Sequence, residues 1–176
     1  MKKLSVFVIL AVISMLVFSC SKDETGLIDK NPYSVEKDNY TFLKNADTYQ
    51  EVQRKRLEDG LSDFEIEKVE RTGNSIEITV LISNQCTVNE FEVIWDGNIM
   101  ESYPPQTRIF INRITDGCKD SGEFESMVLV VDLEELIFKG NDPQLEEAIV
   151  IVSNASKKPD TQNADIPVSA NADSKN

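Results

Sequence analysis

Histidine is absent from the 176-residue chain. With it go the commonest general base, the commonest metal ligand, and both Ser-His-Asp and Cys-His catalysis. Cysteine is scarce, at Cys20, Cys86 and Cys118. No C-x-x-C spacing occurs, which together with the missing histidine argues against a zinc site. Glycine is sparse as well, and no glycine-rich loop suited to cradling a phosphate is present. Basic residues are outnumbered, 18 Lys and Arg against 31 Asp and Glu, for a formal charge of −13. That balance repels nucleic-acid phosphates, and no basic stripe localises an exception, so nucleic acid is excluded as a partner. No cofactor is expected.

One long apolar run is present. Lys2 and Lys3 precede Leu4 to Phe18, interrupted only by Ser5 and Ser14, and the run ends in Val17-Phe18-Ser19-Cys20. A basic start, a short apolar stretch and a small-residue cleavage site form a secretory signal, shorter than the ~20 residues of a bilayer-spanning helix. The ending resembles the lipobox of bacterial lipoproteins. That resemblance implies acylation of the Cys20 thiol, removal of residues 1–19, and Cys20 as the new N-terminus. An ordinary secretory signal with an incidental cysteine is the alternative. Ser21-Lys22-Asp23-Glu24 resembles the short lysine-and-acid export signal of surface lipoproteins in the Bacteroidota, and otherwise reads as the solvated start of a linker. Two or more acyl chains hold a protein on a membrane stably, whereas one anchors it marginally. The expected location is therefore the outer membrane, lipid-anchored and facing the cell surface, with the periplasmic face as the alternative.

Loss of residues 1–19 leaves 157 residues, enough for one domain with tails. Lys2 and Lys3 leave with the signal, so 16 basic side chains face 31 acidic ones, a net charge of −15. Cys86 and Cys118, 32 residues apart, are then a pair in an oxidising compartment, where a structural disulfide is the default. Closing such a loop stabilises a fold by roughly 3–4 kcal/mol.

Residues 20–46 read as a lipidated N-terminus and tether, with Tyr40, Phe42 and Leu43 able to dock late. Residues 156–176 have Ile166 and Val168 as their sizeable apolar residues and read as a disordered tail. Residues 47–155 form the domain. Asp47-Thr48-Tyr49-Gln50 suggests a capped start, and the spacing gives a short helix over 48–58 with Gly60 as its stop. Strict alternation at Ile76, Ile78, Val80 and Ile82 marks a strand with one buried face, joined to Phe64–Glu70 by a turn at Gly73-Asn74. Asp96-Gly97 predicts a second hairpin between Phe91–Trp95 and Asn98–Ser102, ended by Pro104-Pro105. Further strands are expected at 107–114, 124–133 and 146–153, with a helical turn at Asp132–Leu136. Met127–Val131 and Ile149–Val152, apolar on both faces, read as central strands or strands covered on both sides. The fold class is therefore all-β, an antiparallel immunoglobulin-like β-sandwich of about seven strands with a short N-terminal helix.

The run from Phe91 through Trp95-Asp96-Gly97 to Tyr103-Pro104-Pro105-Gln106, flanked by Cys86 and Cys118, resembles an element of small Bacteroidota lipoproteins. The likeness implies a surface or periplasmic β-domain and carries over no catalytic residues.

Chemistry-bearing groups are few. Asp96 with Glu101, and Glu134 with Glu135, are carboxylate pairs of the kind glycoside hydrolysis uses, and also ordinary turn and edge residues. Asp116, Asp120 and Glu123 offer hard oxygens in one loop, a candidate calcium set without EF-hand spacing. Asn141-Asp142 does the same in another loop. Trp95 and Tyr103 could stack on a sugar or anchor a protein contact, although a lone strand Trp suits a core. The expected function is a non-catalytic binding or accessory module with a protein or glycan partner. The alternative is a small carboxylate-dependent hydrolase or glycan-processing accessory.

Overall fold

A computed structural model describes residues 31–58, 61, 63–83, 90–115, 123–138 and 147–170. The described chain runs β1 (Tyr33–Glu36), β2 (Thr41–Lys44), α1 (Ala46–Leu57), β3 (Glu65–Thr72), β4 (Ser75–Ser83) and β5 (Glu90–Trp95). It continues through β6 (Gln106–Ile114), β7 (Phe124–Asp132), α2 (Leu133–Leu136), β8 (Ile149–Asn154) and β9 (Asp165–Val168). These strands form a six-stranded sheet in the order β1-β2-β5-β6-β8-β9 and a three-stranded sheet in the order β3-β4-β7. The expected all-β class holds.

Alternation decides which faces meet. In β4, Ile76, Ile78, Val80 and Ile82 are buried and the residues between them look outward. They join Ile66 of β3 and Leu129 and Val131 of β7 against Phe42, Phe91, Val93, Trp95, Ile109, Ile111, Val150 and Val152 of the larger sheet. At ~1.5–3 kcal/mol for each large apolar side chain removed from water, this layer dominates the stability. The larger sheet is also covered on its other face. There Ile94 and Phe110 lie under Val52 and Tyr49 of α1, with the Tyr49 and Phe110 rings 4.7 Å apart. Double coverage explains why β5 is apolar on consecutive residues, Val93 to Trp95.

The cap of helix α1 is Asn45, two residues before the expected Asp47. The Asn45 carboxamide accepts from the backbone N–H of Asp47 and Thr48, at 3.0 and 3.1 Å, so Asp47 falls in the first turn where its charge suits the helix dipole. Gly60 lies outside the described residues. The Asp132–Leu136 turn appears as α2, with the Asp132 carboxylate accepting from Glu135 N.

Several expectations are corrected. The tether assigned to residues 20–46 contains β1 and β2, which pair antiparallel, and Tyr40 and Phe42 are core residues. Polar residues between the aromatics hid a short hairpin whose free energy comes from the neighbouring sheet. The tail assigned to 156–176 contains β9, paired antiparallel with β8. Its backbone and Asp165 supply partners that a composition argument does not count. The larger sheet is mixed rather than wholly antiparallel, since β2 runs parallel to β5 and β6 parallel to β8. In both cases the connection crosses to the smaller sheet and back, as parallel neighbours require a long crossover. The six-and-three division also departs from the immunoglobulin strand arrangement.

The second hairpin is a loop instead. β5 pairs directly with β6, and Met100 makes an isolated bridge to Gln106. The Asp96 carboxylate accepts from both the backbone and side-chain nitrogens of Asn98, and Gly97 sits at φ 85°, so Asp-Gly forms a local turn that leads away from the sheet. The Tyr103-Pro104 bond is cis. Finally, β7 is an edge strand whose outward face is open. Val128 and Val130 are 43% and 51% exposed, contrary to the central or doubly covered strand that its apolar run suggested. β8, by contrast, lies inside its sheet between β6 and β9.

Candidate functional site

The strand registers give the sandwich two distinguishable ends. At one, Tyr33 of β1, Lys44 of β2 and Trp95 of β5 stand side by side. The described chain begins there, close to Cys20 in sequence. At the other lie the β1–β2 turn, the start of β5 and the end of β6, where Glu90 pairs with Ile114.

A cleft of about 400 Å³ opens at this second end. Its walls come from the turn residues Glu36 to Thr41, from Glu90, Phe91 and Glu92, and from Ile114. The turn is closed by a backbone bond from Lys37 N to Tyr40 O, 2.9 Å. Phe91 is part of the buried core, while Ile114 is exposed, so apolar surface continues from the core to the cleft mouth. Asn112 on β6 donates from Nδ2 to Glu92 at 2.8 Å and sets that carboxylate's position. Lys37 is the cleft's basic residue, and its ammonium is already 2.8 Å from Glu135 of α2. Glu36, Asp38, Glu90 and Glu92 thus leave the cleft with an excess of negative charge.

Tyr40 joins this wall to the smaller sheet. Its hydroxyl donates to Val130 O at 2.8 Å, and Asn39 Nδ2 donates to Val128 O. These bonds occupy carbonyls on the free edge of β7 and close the sandwich without strand pairing, which protects an edge from association. Burial pushes the Tyr40 phenol up to about 12, with the carboxylates of Glu135 and Asp132 adding to the rise.

Among the residues singled out from sequence, Trp95 is core. It is 4% exposed, and its indole donates to Thr107 Oγ1 at 2.9 Å. The Lys44 ammonium lies 5.6 Å from the Trp95 and Tyr33 ring centres, an arrangement that favours a buried cation. Tyr103 is 97% exposed on the β5–β6 loop, far from the cleft in the sheet's register. Glu123 is exposed just before β7, whereas Asp116, Asp120 and Asn141-Asp142 lie outside the described residues, as do Cys20, Cys86 and Cys118. Among the described residues, no three acidic or cysteine side chains converge as metal ligands. Asp96 is engaged by Asn98, Glu135 by Lys37, and Glu134 by Asn74 Nδ2 at 3.4 Å.

Sequence reasoning missed both the cleft carboxylates and a buried charge cluster on the helix-covered face. Arg56 and Arg108 both reach Asp165, at 2.9 and 2.7 Å, and Ser153 Oγ donates to the same carboxylate at 2.6 Å. A signal for the cluster was present. Tyr49, Val52 and Arg56 share one helix face, so a charge interrupts an apolar stripe, which implies a buried partner.

No family model matches the chain, and no curated protein matches it. A solved structure similar to it is that of a protein of unknown function, DUF1344, from Bacteroides vulgatus, at 10% identity and a TM-score of 0.40. The match covers 66% of this chain and 52% of that one, so the chain spans about half the length of that protein.

Proposed function

We propose that the protein is a lipid-anchored, extracytoplasmic binding module that acts without catalysis, held through Cys20 and taking its ligand in the cleft between the β1–β2 turn and β5. The observation that carries this reading is the cleft's position. It opens at the end of the sandwich opposite Tyr33, where the chain arrives from the Cys20 segment. A domain tethered at one end presents the other end outward.

The cleft's chemistry favours a ligand that brings amino or guanidinium groups together with some apolar surface. Glu36, Asp38, Glu90 and Glu92 attract the former, and Phe91 and Ile114 accommodate the latter. Such a ligand is also steered by the acidic balance of the whole chain. The test is a titration of the exported domain, followed by amide NMR, with trilysine, triglycine and a neutral chito-oligosaccharide. Trilysine is expected to shift Thr41, Phe91 and Ile114, and Glu90→Gln with Glu92→Gln is expected to weaken that response at least fivefold. A cleft that responds to none of the three, or equally to all, sinks the assignment.

A further inference from the structure

We infer that the outer face of the smaller sheet seats an amphipathic helix of a partner protein, its apolar row over β7 and its lysines or arginines along one flank. Register lays that face out as a grid. Val130, Glu77 and Glu70 form one row across β7, β4 and β3, and Val128, Thr79 and Lys68 form the next. Phe124, Val128 and Val130 are exposed on this side of β7, and Leu81 of β4 is half-buried on the same face. Exposed apolar side chains in file along one strand mark an interaction surface. Beside that file the charges are unbalanced. Glu70 and Glu77 stand directly opposite each other, a like-charge pairing that costs a sheet stability. Lys68 reaches Glu70 at 2.6 Å, whereas Glu77 makes no ion pair among the described residues. One ammonium thus serves two carboxylates, and a cation from outside completes the set.

The form of the occupant follows from what the edge has left. The carbonyls of Val128 and Val130 already accept from Asn39 and Tyr40, so a partner strand is denied this part of the β7 edge. Contact falls to side chains. Three strands at ~4.8 Å spacing make a face about 10 Å wide, the width of one helix with its side chains. Val128 and Val130 lie about 7 Å apart along the strand, close to the ~6 Å between helix residues i and i+4. Apolar residues at that helical spacing cover the valines. Glu77 and Glu70 lie one and two strands to the side, which puts the cations on a single flank. A second copy fits worse, because it brings the same carboxylates and the chain carries a net charge of −13. The cleft lies at an end of the sandwich and this face on its side, so neither the cleft ligand nor the lipid enters.

The experiment uses the mature chain, residues 20–176, with Cys20→Ser. Its probe is an 18-residue leucine–lysine peptide patterned as an amphipathic helix, with a scrambled peptide of the same composition and a leucine–glutamate peptide as controls. Methyl NMR is expected to show the patterned peptide shifting Val128 and Val130 while the buried Val80 and Val93 stay in place. The controls should bind at least fivefold more weakly. Glu70→Gln with Glu77→Gln, and separately Val128→Thr with Val130→Thr, should each weaken the patterned peptide at least fivefold, read by the anisotropy of a labelled copy. Unchanged Val80 and Val93 methyls in these variants show that the fold is kept. Equal binding of the scrambled peptide, no response, or a response confined to Thr41, Phe91 and Ile114 of the cleft overturns the assignment. Valine methyls that move with protein concentration alone overturn it in favour of a second copy. Methyls that move with phosphatidylcholine vesicles and with none of the peptides overturn it in favour of a lipid surface.

Discussion

The guanidinium of Arg56 in α1 lies 2.9 Å from the carboxylate of Asp165 in β9, with the arginine side chain 2% exposed. Arg56 also donates to Ala164 O at 2.8 Å and to Lys157 O, and its guanidinium lies over the Phe110 ring at 5.5 Å. One residue therefore fastens the helix to a strand more than a hundred positions later and to the sheet between them. Arg108 shares the same carboxylate, so Asp165 is the common anion of two arginines.

Removing that anion leaves two cations behind. Asp165→Ala is expected to destabilise the domain by about 3 kcal/mol, because breaking a buried pair strands its partner. Deleting residues 165–176 is expected to cost at least as much, since the β8–β9 pairing goes too. Urea unfolding followed by Trp95 fluorescence measures both. A deletion that leaves the midpoint in place contradicts the structural role given to β9.

Alkaline pH is expected to unfold the protein in a defined window. Burial, aided by nearby carboxylates, pushes the phenols of Tyr40 and Tyr49 up to about 12 from an ordinary 10. A raised phenol pKa means the folded state keeps a proton that the unfolded chain releases. The corresponding stability is complete below pH 10 and is lost as pH rises through about 12. Absorbance at 295 nm should show two tyrosines ionising late, together with loss of structure. Tyr40→Phe should remove one late step while losing the bond to Val130 O.

A disulfide between Cys86 and Cys118 is expected in the exported protein. The paired strand ends support it: Ser83 stands opposite Phe124, and Glu90 opposite Ile114. The two cysteine-bearing connections thus leave from one end of the sandwich. Non-reducing mass mapping should find the two linked. Cys118→Ser should lower the urea midpoint by an amount equivalent to roughly 3 kcal/mol. Free labelling of both thiols in the native exported protein contradicts the pairing.

Anchoring has its own test. Cys20→Ala is expected to abolish metabolic palmitate labelling, and replacing Lys22, Asp23 and Glu24 with alanine is expected to retain the label while preventing protease shaving of intact cells. Equal label in Cys20→Ala and wild type rules out the lipid. Unchanged shaving in the triple variant makes those three residues linker.

What the sequence determined by itself is whatever rests on near neighbours in the chain. Alternation in Ile76–Ile82 set a strand with one buried face, Gly73 at φ 58° let the chain turn between β3 and β4, and Asp132 started α2. The all-β class follows from such local signals, because period-2 burial needs no knowledge of the partner strand. Tertiary structure alone decided the rest. Short segments such as Tyr33–Glu36 and Asp165–Val168 become strands only when a neighbouring sheet edge pairs with their backbone. The apolar run Met127–Val131 looks the same in sequence whether the strand is central or at an edge, and its position in the smaller sheet left Val128 and Val130 outside. The cleft joins Glu36–Thr41 to Glu90–Glu92, about fifty residues apart, through the parallel pairing of β2 with β5. No periodicity encodes that pairing. It depends on a crossover through the other sheet, and its reward is the burial of Phe42 against Phe91 and Val93, a contact that exists only in the folded chain.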